Sequence, residues 1–193
     1  MSLEAVIENY PVELELKGGF KCELRPLQCE DEAAFFEFFQ QIPESERMFI
    51  KHRIEDRSVI RDWCEHIDYL AKLPLLAVQD GNVIGAATLH QSQGGWKRHI
   101  GRVSVLVLPQ YRGRGLARRM IREISELAQH AGLDFVEAEF ISGQEAAIKM
   151  FGVLGFGPLV ILPRYVRDLQ GGAHDYTLMS LSLKTDEEYA GMG

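Results

Sequence analysis

Val103 to Ala117 is the stretch whose residue types and spacing could do chemistry. An apolar run, Val103–Leu108, reaches Pro109, then Gln110-Tyr111-Arg112-Gly113-Arg114-Gly115, then Leu116-Ala117 at the head of an amphipathic segment. A strand that turns through glycines into a helix presents successive backbone N–H groups where the helix dipole favours anions. Glycine lets that backbone approach a phosphate without a Cβ in the way. Arg112 and Arg114 add positive charge, so a pyrophosphate is the natural occupant.

Three readings compete for an isolated Gly-x-Gly. A phosphate loop of the Gly-x-x-x-x-Gly-Lys-Ser/Thr kind needs a lysine and a hydroxyl that are absent here. The dinucleotide pattern Gly-x-Gly-x-x-Gly fails at Arg118, although Asp134 and Glu137 stand about 20 residues on, where that pattern places an acid. A plain strand–helix turn with solvated arginines is the structural alternative.

The elements around the loop decide among these. Val12–Leu16 and Phe20–Arg25 alternate apolar and polar around Gly18-Gly19, the pattern of a hairpin. Ala34, Phe35, Phe38, Phe39 and Ile42 form one helical face, and Val59, Trp63, Ile67 and Leu70 form another that ends before Pro74. Leu75–Gln79 and Val83–His90 flank the turn Asp80-Gly81-Asn82. His99–Leu108 reads as a buried central strand, Gly115–Ala131 as a helix stopped by Gly132, Asp134–Ile141 as a strand and Gly143–Leu154 as a short helix. Pro158–Val166 and His174–Leu183 close the chain as a hairpin around Gly171-Gly172. The order ββ-α-α-βββ-α-β-α-ββ gives an α+β fold with about four helices on a mixed, mostly antiparallel sheet. Antiparallel hairpins before the loop disfavour the dinucleotide reading. Residues 1–184 read as one domain and 185–193 as a disordered tail.

Composition sets outer bounds. The chain has 193 residues, 46% hydrophobic and 25% charged, which suits one soluble domain. A net charge of −7 argues against nucleic acid as a partner. No apolar run approaches the roughly 20 residues of a membrane span. The first residues lack a basic n-region and an apolar h-region, so the expectation is a cytoplasmic protein. Cys22, Cys29 and Cys64 are odd in number and scattered, and no His-Glu-x-x-His occurs, so neither disulfides nor a metal site is expected.

Gln110-x-x-Gly113-x-Gly115-x-Ala117, after an apolar strand ending in proline, resembles the acetyl-CoA loop of the GNAT acyltransferase superfamily. A second segment, Gln144 to Phe156, is similar to that family's Asn-x-x-Ala-x-x-x-Tyr-x-x-x-Gly-Phe. The resemblance spans roughly residues 20–183. It implies a sheet splayed between the fourth and fifth core strands, His99–Leu108 and Asp134–Ile141, with pantetheine in the gap. Main-chain groups of Leu106, Val107 and Leu108 would pair with its amides. Arg112, Gly113, Arg114, Gly115, Leu116 and Ala117 would hold the pyrophosphate. Gln144, Ala147 and Phe151 would line the thioester side.

The implied reaction moves an acetyl group from acetyl-CoA directly to a primary amine. That amine is mostly protonated at neutral pH and must lose a proton before it attacks. The resemblance points to Glu139, twelve residues before Phe151, as the base; an ion pair with an arginine such as Arg102 is the competing role for this carboxylate. His90 and His99 are weaker candidates at turns. A strand N–H near Leu106 or Val107 would stabilise the oxyanion. Phe151 stands where the family often has a tyrosine acid, and Tyr165 is the substitute. Arg102 stands where the family often has a glutamate. These departures keep open a CoA sensor of the same fold, and the glycine loop leaves a nicotinamide-dependent oxidoreductase as a remoter alternative. Phe49, Trp63, Tyr165 and Tyr176 are candidates for the acceptor side. The resemblance also leaves a homodimer open.

Overall fold

The computed structural model describes residues 2–47, 50 and 53–184. The expected tail and Phe49 lie outside the described residues. The elements are α1 (Leu3–Ile7), β1 (Val12–Leu16), β2 (Phe20–Pro26), α2 (Glu32–Gln40), α3 (Glu44–Arg47), α4 (Arg57–Glu65), β3 (Lys72–Gln79), β4 (Asn82–His90), β5 (Ile100–Val107), α5 (Leu116–His130), β6 (Phe135–Ile141), α6 (Glu145–Val153), β7 (Gly157–Arg167) and β8 (Ala173–Ser182).

All strands join one eight-stranded sheet in the order β1-β2-β3-β4-β5-β6-β8-β7. Neighbours are antiparallel except β5 and β6, which run parallel because α5 carries the chain back across the sheet. The glycine loop thus belongs to one β-α-β crossover, β5-α5-β6, set in a sheet whose other described neighbours are antiparallel, and not to a series of such units. One face of the sheet packs Ile84, Val103, Val136 and Ala138 against Met120, Ile124 and Leu127 of α5 and Phe151 of α6. The other packs Leu76, Val83 and Ala86 against Phe35, Phe38 and Phe39 of α2 and Ile60 of α4. α5 shows an apolar residue every three or four positions, and its buried set includes Leu116, Met120, Ile121, Ile124, Leu127 and Ala128.

Six α-helices stand among the described residues, against about four expected. The additions are the five-residue α1 and the four-residue α3, both too short to show a helical period. α1 is begun by Ser2, whose side chain accepts from the Ala5 N–H. α4 ends at Glu65, so Ile67 and Leu70 fall beyond the helix that their spacing predicted. Pro74 lies inside β3, one residue before that strand's ladder with β2 begins. The Pro74 carbonyl accepts from Leu27 N–H, and the Leu27 carbonyl, which a proline cannot serve, accepts from Tyr69 Oη instead.

The β5–β6 ladder is short. Ile100, Gly101 and Arg102 pair with Phe135, Val136 and Glu137, and pairing stops there. β5 continues to Val107 on β4 alone, and β6 continues to Ile141 on β8 alone. The sheet therefore parts between the two central strands and opens toward the glycine loop.

Candidate functional site

The loop after β5 is a turn of 3₁₀ helix, Pro109–Tyr111, followed by two left-handed glycines. Gly113 has φ of 76° and Gly115 has φ of 86°, and a Cβ at either would meet nothing within 4 Å. Gly115 is the N-cap of α5 and supplies no side chain to close the helix end. The first intrahelical bond runs from Arg119 N–H to Gly115 O at 3.0 Å. Among the described residues no acceptor takes the N–H groups of Gly113 through Arg118, which is the orphan-donor cluster of a helix start widened by the loop. A diphosphate suits such a cradle.

The two loop arginines sit differently. Arg112 donates from Nε to the Val107 carbonyl at 2.9 Å and grips both carboxylate oxygens of Glu46 in α3, at 2.9 and 2.7 Å. Arg114 lies over the ring of Phe20, 4.7 Å from its centroid. Leu116 is buried in the core and Ala117 is half-buried beside it.

Facing the gap, the register corrects the expected set of pairing residues. Leu108 N–H bonds to Ile84 O at 3.0 Å, and Leu108 O accepts from Tyr111 N–H at 2.9 Å. Hydrogen-bonded pairs alternate along an antiparallel ladder, so Leu106, opposite Ala86, also turns its main chain to β4. The main chains of Leu106 and Leu108 are thus spent inside the sheet. Val105 and Val107 turn theirs toward β6, with the Val107 carbonyl already held by Arg112.

In the second segment Gln144 is the N-cap of α6, and its Oε1 accepts from Ile141 N–H at 3.0 Å. Ala147 is half-buried on the core side. Phe151 is 1% exposed and packs edge-on against Phe140 and Phe156, each at 4.9 Å. That corrects the expectation for Phe151: a ring enclosed on this scale is part of the core and has no surface for a thioester.

On the other face of β6 the side chains are polar. Glu139 is the first residue on this face beyond the last β5–β6 pair, and its side chain keeps 21% exposure. Its Oε1 accepts from Tyr176 Oη at 3.0 Å and lies 3.6 Å from Arg102 Nε. Burial and the Glu139 carboxylate push the Tyr176 phenol up to about 12. Glu137, on the same face, is buried and accepts from Lys97 Nζ at 3.3 Å. Tyr165 is 67% exposed on β7, its ring 5.9 Å from that of Tyr176. The tyrosine in contact with the carboxylate is Tyr176, and Tyr165, the substitute acid expected from the sequence, stands beside it on β7. Only the register, which places Tyr176 opposite Ile141, brings that phenol to Glu139. Trp63 packs with Phe35 and Phe39 and carries Lys72 Nζ over its ring.

Residues 32–156 match the model of the acetyltransferase (GNAT) family. The chain belongs to that family. The L-amino acid N-acyltransferase MnaT of Escherichia coli (strain K12) is 29% identical over 129 residues, 64% of this chain and 73% of the relative. Among solved structures, yncA from Salmonella typhimurium, which contains its cofactor acetyl-CoA, has a TM-score of 0.73 at 24% identity, covering 85% of this chain and 95% of that one. The ribosomal-protein-alanine N-acetyltransferase of Brucella melitensis has a TM-score of 0.72 at 22% identity, covering 82% and 98%. This GNAT chain is thus an acyltransferase by family, with the family's open sheet. The match ends at Phe156, so the hairpin that brings Tyr165 and Tyr176 to the site lies beyond it.

Proposed function

We propose that this GNAT chain transfers the acetyl group of acetyl-CoA to a primary amine by direct attack. One observation carries the reading: uncapped N–H groups from Gly113 to Arg118 stand at the open end of a gap that begins where β5 and β6 cease to pair. The loop would take the diphosphate, and Val105 and Val107 would offer main-chain groups to the pantetheine amides. This arrangement orients a thioester along the gap, and orientation supplies much of the rate in such transfers.

Glu139 is the proposed base. Its carboxylate would take a proton from the ammonium acceptor, and the free amine would attack the thioester carbonyl. Val105 N–H, turned to the gap near the level of Glu139, is the donor suited to the developing oxyanion. The name of the E. coli relative makes L-amino acids the first acceptors to try, with peptide N-termini and other amines after them.

A second reading has support from one contact. Arg102 lies 3.6 Å from Glu139, and a carboxylate shared with a guanidinium is a weaker base. That favours a CoA-binding module with little turnover. Free-thiol release from acetyl-CoA across a panel of amino acids, peptides and polyamines separates the two. Acceptor-dependent release supports transfer, and binding of acetyl-CoA with no release above hydrolysis for any amine defeats it.

A further inference from the structure

Acyl transfer to an amine frees a proton at nitrogen and leaves a thiolate that needs one. Phe151 has neither a donor nor an exposed surface, and Tyr165 is exposed on the outer hairpin. The hydroxyl in contact with the carboxylate of the site is that of Tyr176, 3.0 Å from Glu139 Oε1. Both project from the same sheet face beyond the point where β5 and β6 part, since Tyr176 stands opposite Ile141 and Glu139 opposite Leu178. The charged groups around the phenol are Glu139 and Glu137 of β6 and Arg102 of β5, and Tyr165 of β7 flanks its ring.

We infer that Tyr176 returns the proton to the departing thiolate and recovers it from Glu139, so that one hydrogen-bonded pair serves as both base and acid. The inference rests on the transfer reading above. The steps balance. Glu139 takes H⁺ from the ammonium nitrogen. The amine lone pair forms the C–N bond, and the tetrahedral adduct expels sulfur as the C–S bond breaks. The phenolic proton passes to the thiolate while the Glu139 proton passes across the hydrogen bond to the phenol oxygen. With an ammonium acceptor the nitrogen loses a second proton as the adduct forms the amide; the carboxylate takes it and releases it to solvent, which resets the pair. With a free amine the nitrogen loses one proton only, and it is the one that Glu139 takes and passes on. The electrostatics favour this order. The carboxylate charge is one cause of the phenol's weak acidity, so protonation of Glu139 removes that cause at the moment the thiolate forms.

The test uses the full chain with acetyl-CoA and the best amine of the panel. Tyr176→Phe is expected to lower kcat by about 100-fold, the lower end of the usual span for one acid–base group, with KM for both substrates and Tm nearly unchanged. Replacement of Tyr176 by 3,5-difluorotyrosine, a more acidic phenol of similar shape, is expected to restore most of kcat and to move the basic limb of its pH profile to lower pH. A phenol that only props up Glu139 would leave that limb in place. The inference is overturned by Tyr176→Phe within twofold of the parent, or by a fluorinated protein whose basic limb does not move. Should the unmodified chain bind acetyl-CoA yet release no thiol with any amine, the transfer reading itself fails, a result distinct from normal turnover by Tyr176→Phe.

Discussion

The two ends of the site are built from different materials. At the glycine loop the recognition groups are main-chain N–H donors, exposed by two left-handed glycines and a helix start. At the Glu139 end they are side chains from three strands, brought together by register and burial. The first end needs only a local sequence, because glycine conformations and a helix dipole are local properties. The second needs the whole sheet, and a shift of one residue in β8 would carry Tyr176 to the opposite face.

Sharp tests of this contrast start at the loop. Gly115→Val asks a β-branched residue to adopt φ of 86° and puts a side chain over the N–H cradle. Acetyl-CoA affinity, read by calorimetry, is expected to fall by at least about 100-fold, roughly 2.7 kcal/mol. A drop below tenfold would mean that the donors are elsewhere. Glu139→Gln tests the other end. Its kcat/KM is expected to drop about 100-fold between pH 6 and 9 while acetyl-CoA affinity stays put. Unchanged turnover would retire Glu139 as base.

Smaller effects sharpen the division. Phe151→Tyr restores the hydroxyl common in the family, yet it would bury that hydroxyl among Phe140 and Phe156 at a cost of about 1–3 kcal/mol. A lower Tm with no gain in kcat is the expected result, and a faster enzyme would count against the packing described. Arg112→Met removes a side chain whose charge is already matched by Glu46. Affinity for acetyl-CoA is expected to weaken only about two- to fivefold, because a half-exposed ion pair contributes little. A loss beyond about thirtyfold would show that the arginine, and not the main chain, holds the phosphates.

Much of the architecture was legible in the sequence because its periods are long enough to see. Val12–Leu16 is a strand with the bounds its alternation predicts, and α5 shows the stripe from Leu116 to Ala128. Gly113 and Gly115 announced the loop. What escaped had physical causes. α1 and α3 are shorter than two helical turns. Leu106 and Leu108 were assigned to the gap by position, but alternation of the ladder gives that side to Val105 and Val107. Phe151 matched a motif position whose usual tyrosine is polar, and phenylalanine there joined the core. Tyr176 lies 37 residues from Glu139, and no local pattern links them.

The bond from Arg112 to the Val107 carbonyl leaves the gap with an uneven edge. Val105 offers a donor and an acceptor to whatever enters, and Val107 offers a donor alone. An amide-bearing chain satisfies that row by presenting a carbonyl, and not an N–H, to Val107, which fixes its register on the strand. The central strand is thereby a keyed edge, which sets where a guest's carbonyl must stop before any side chain is consulted.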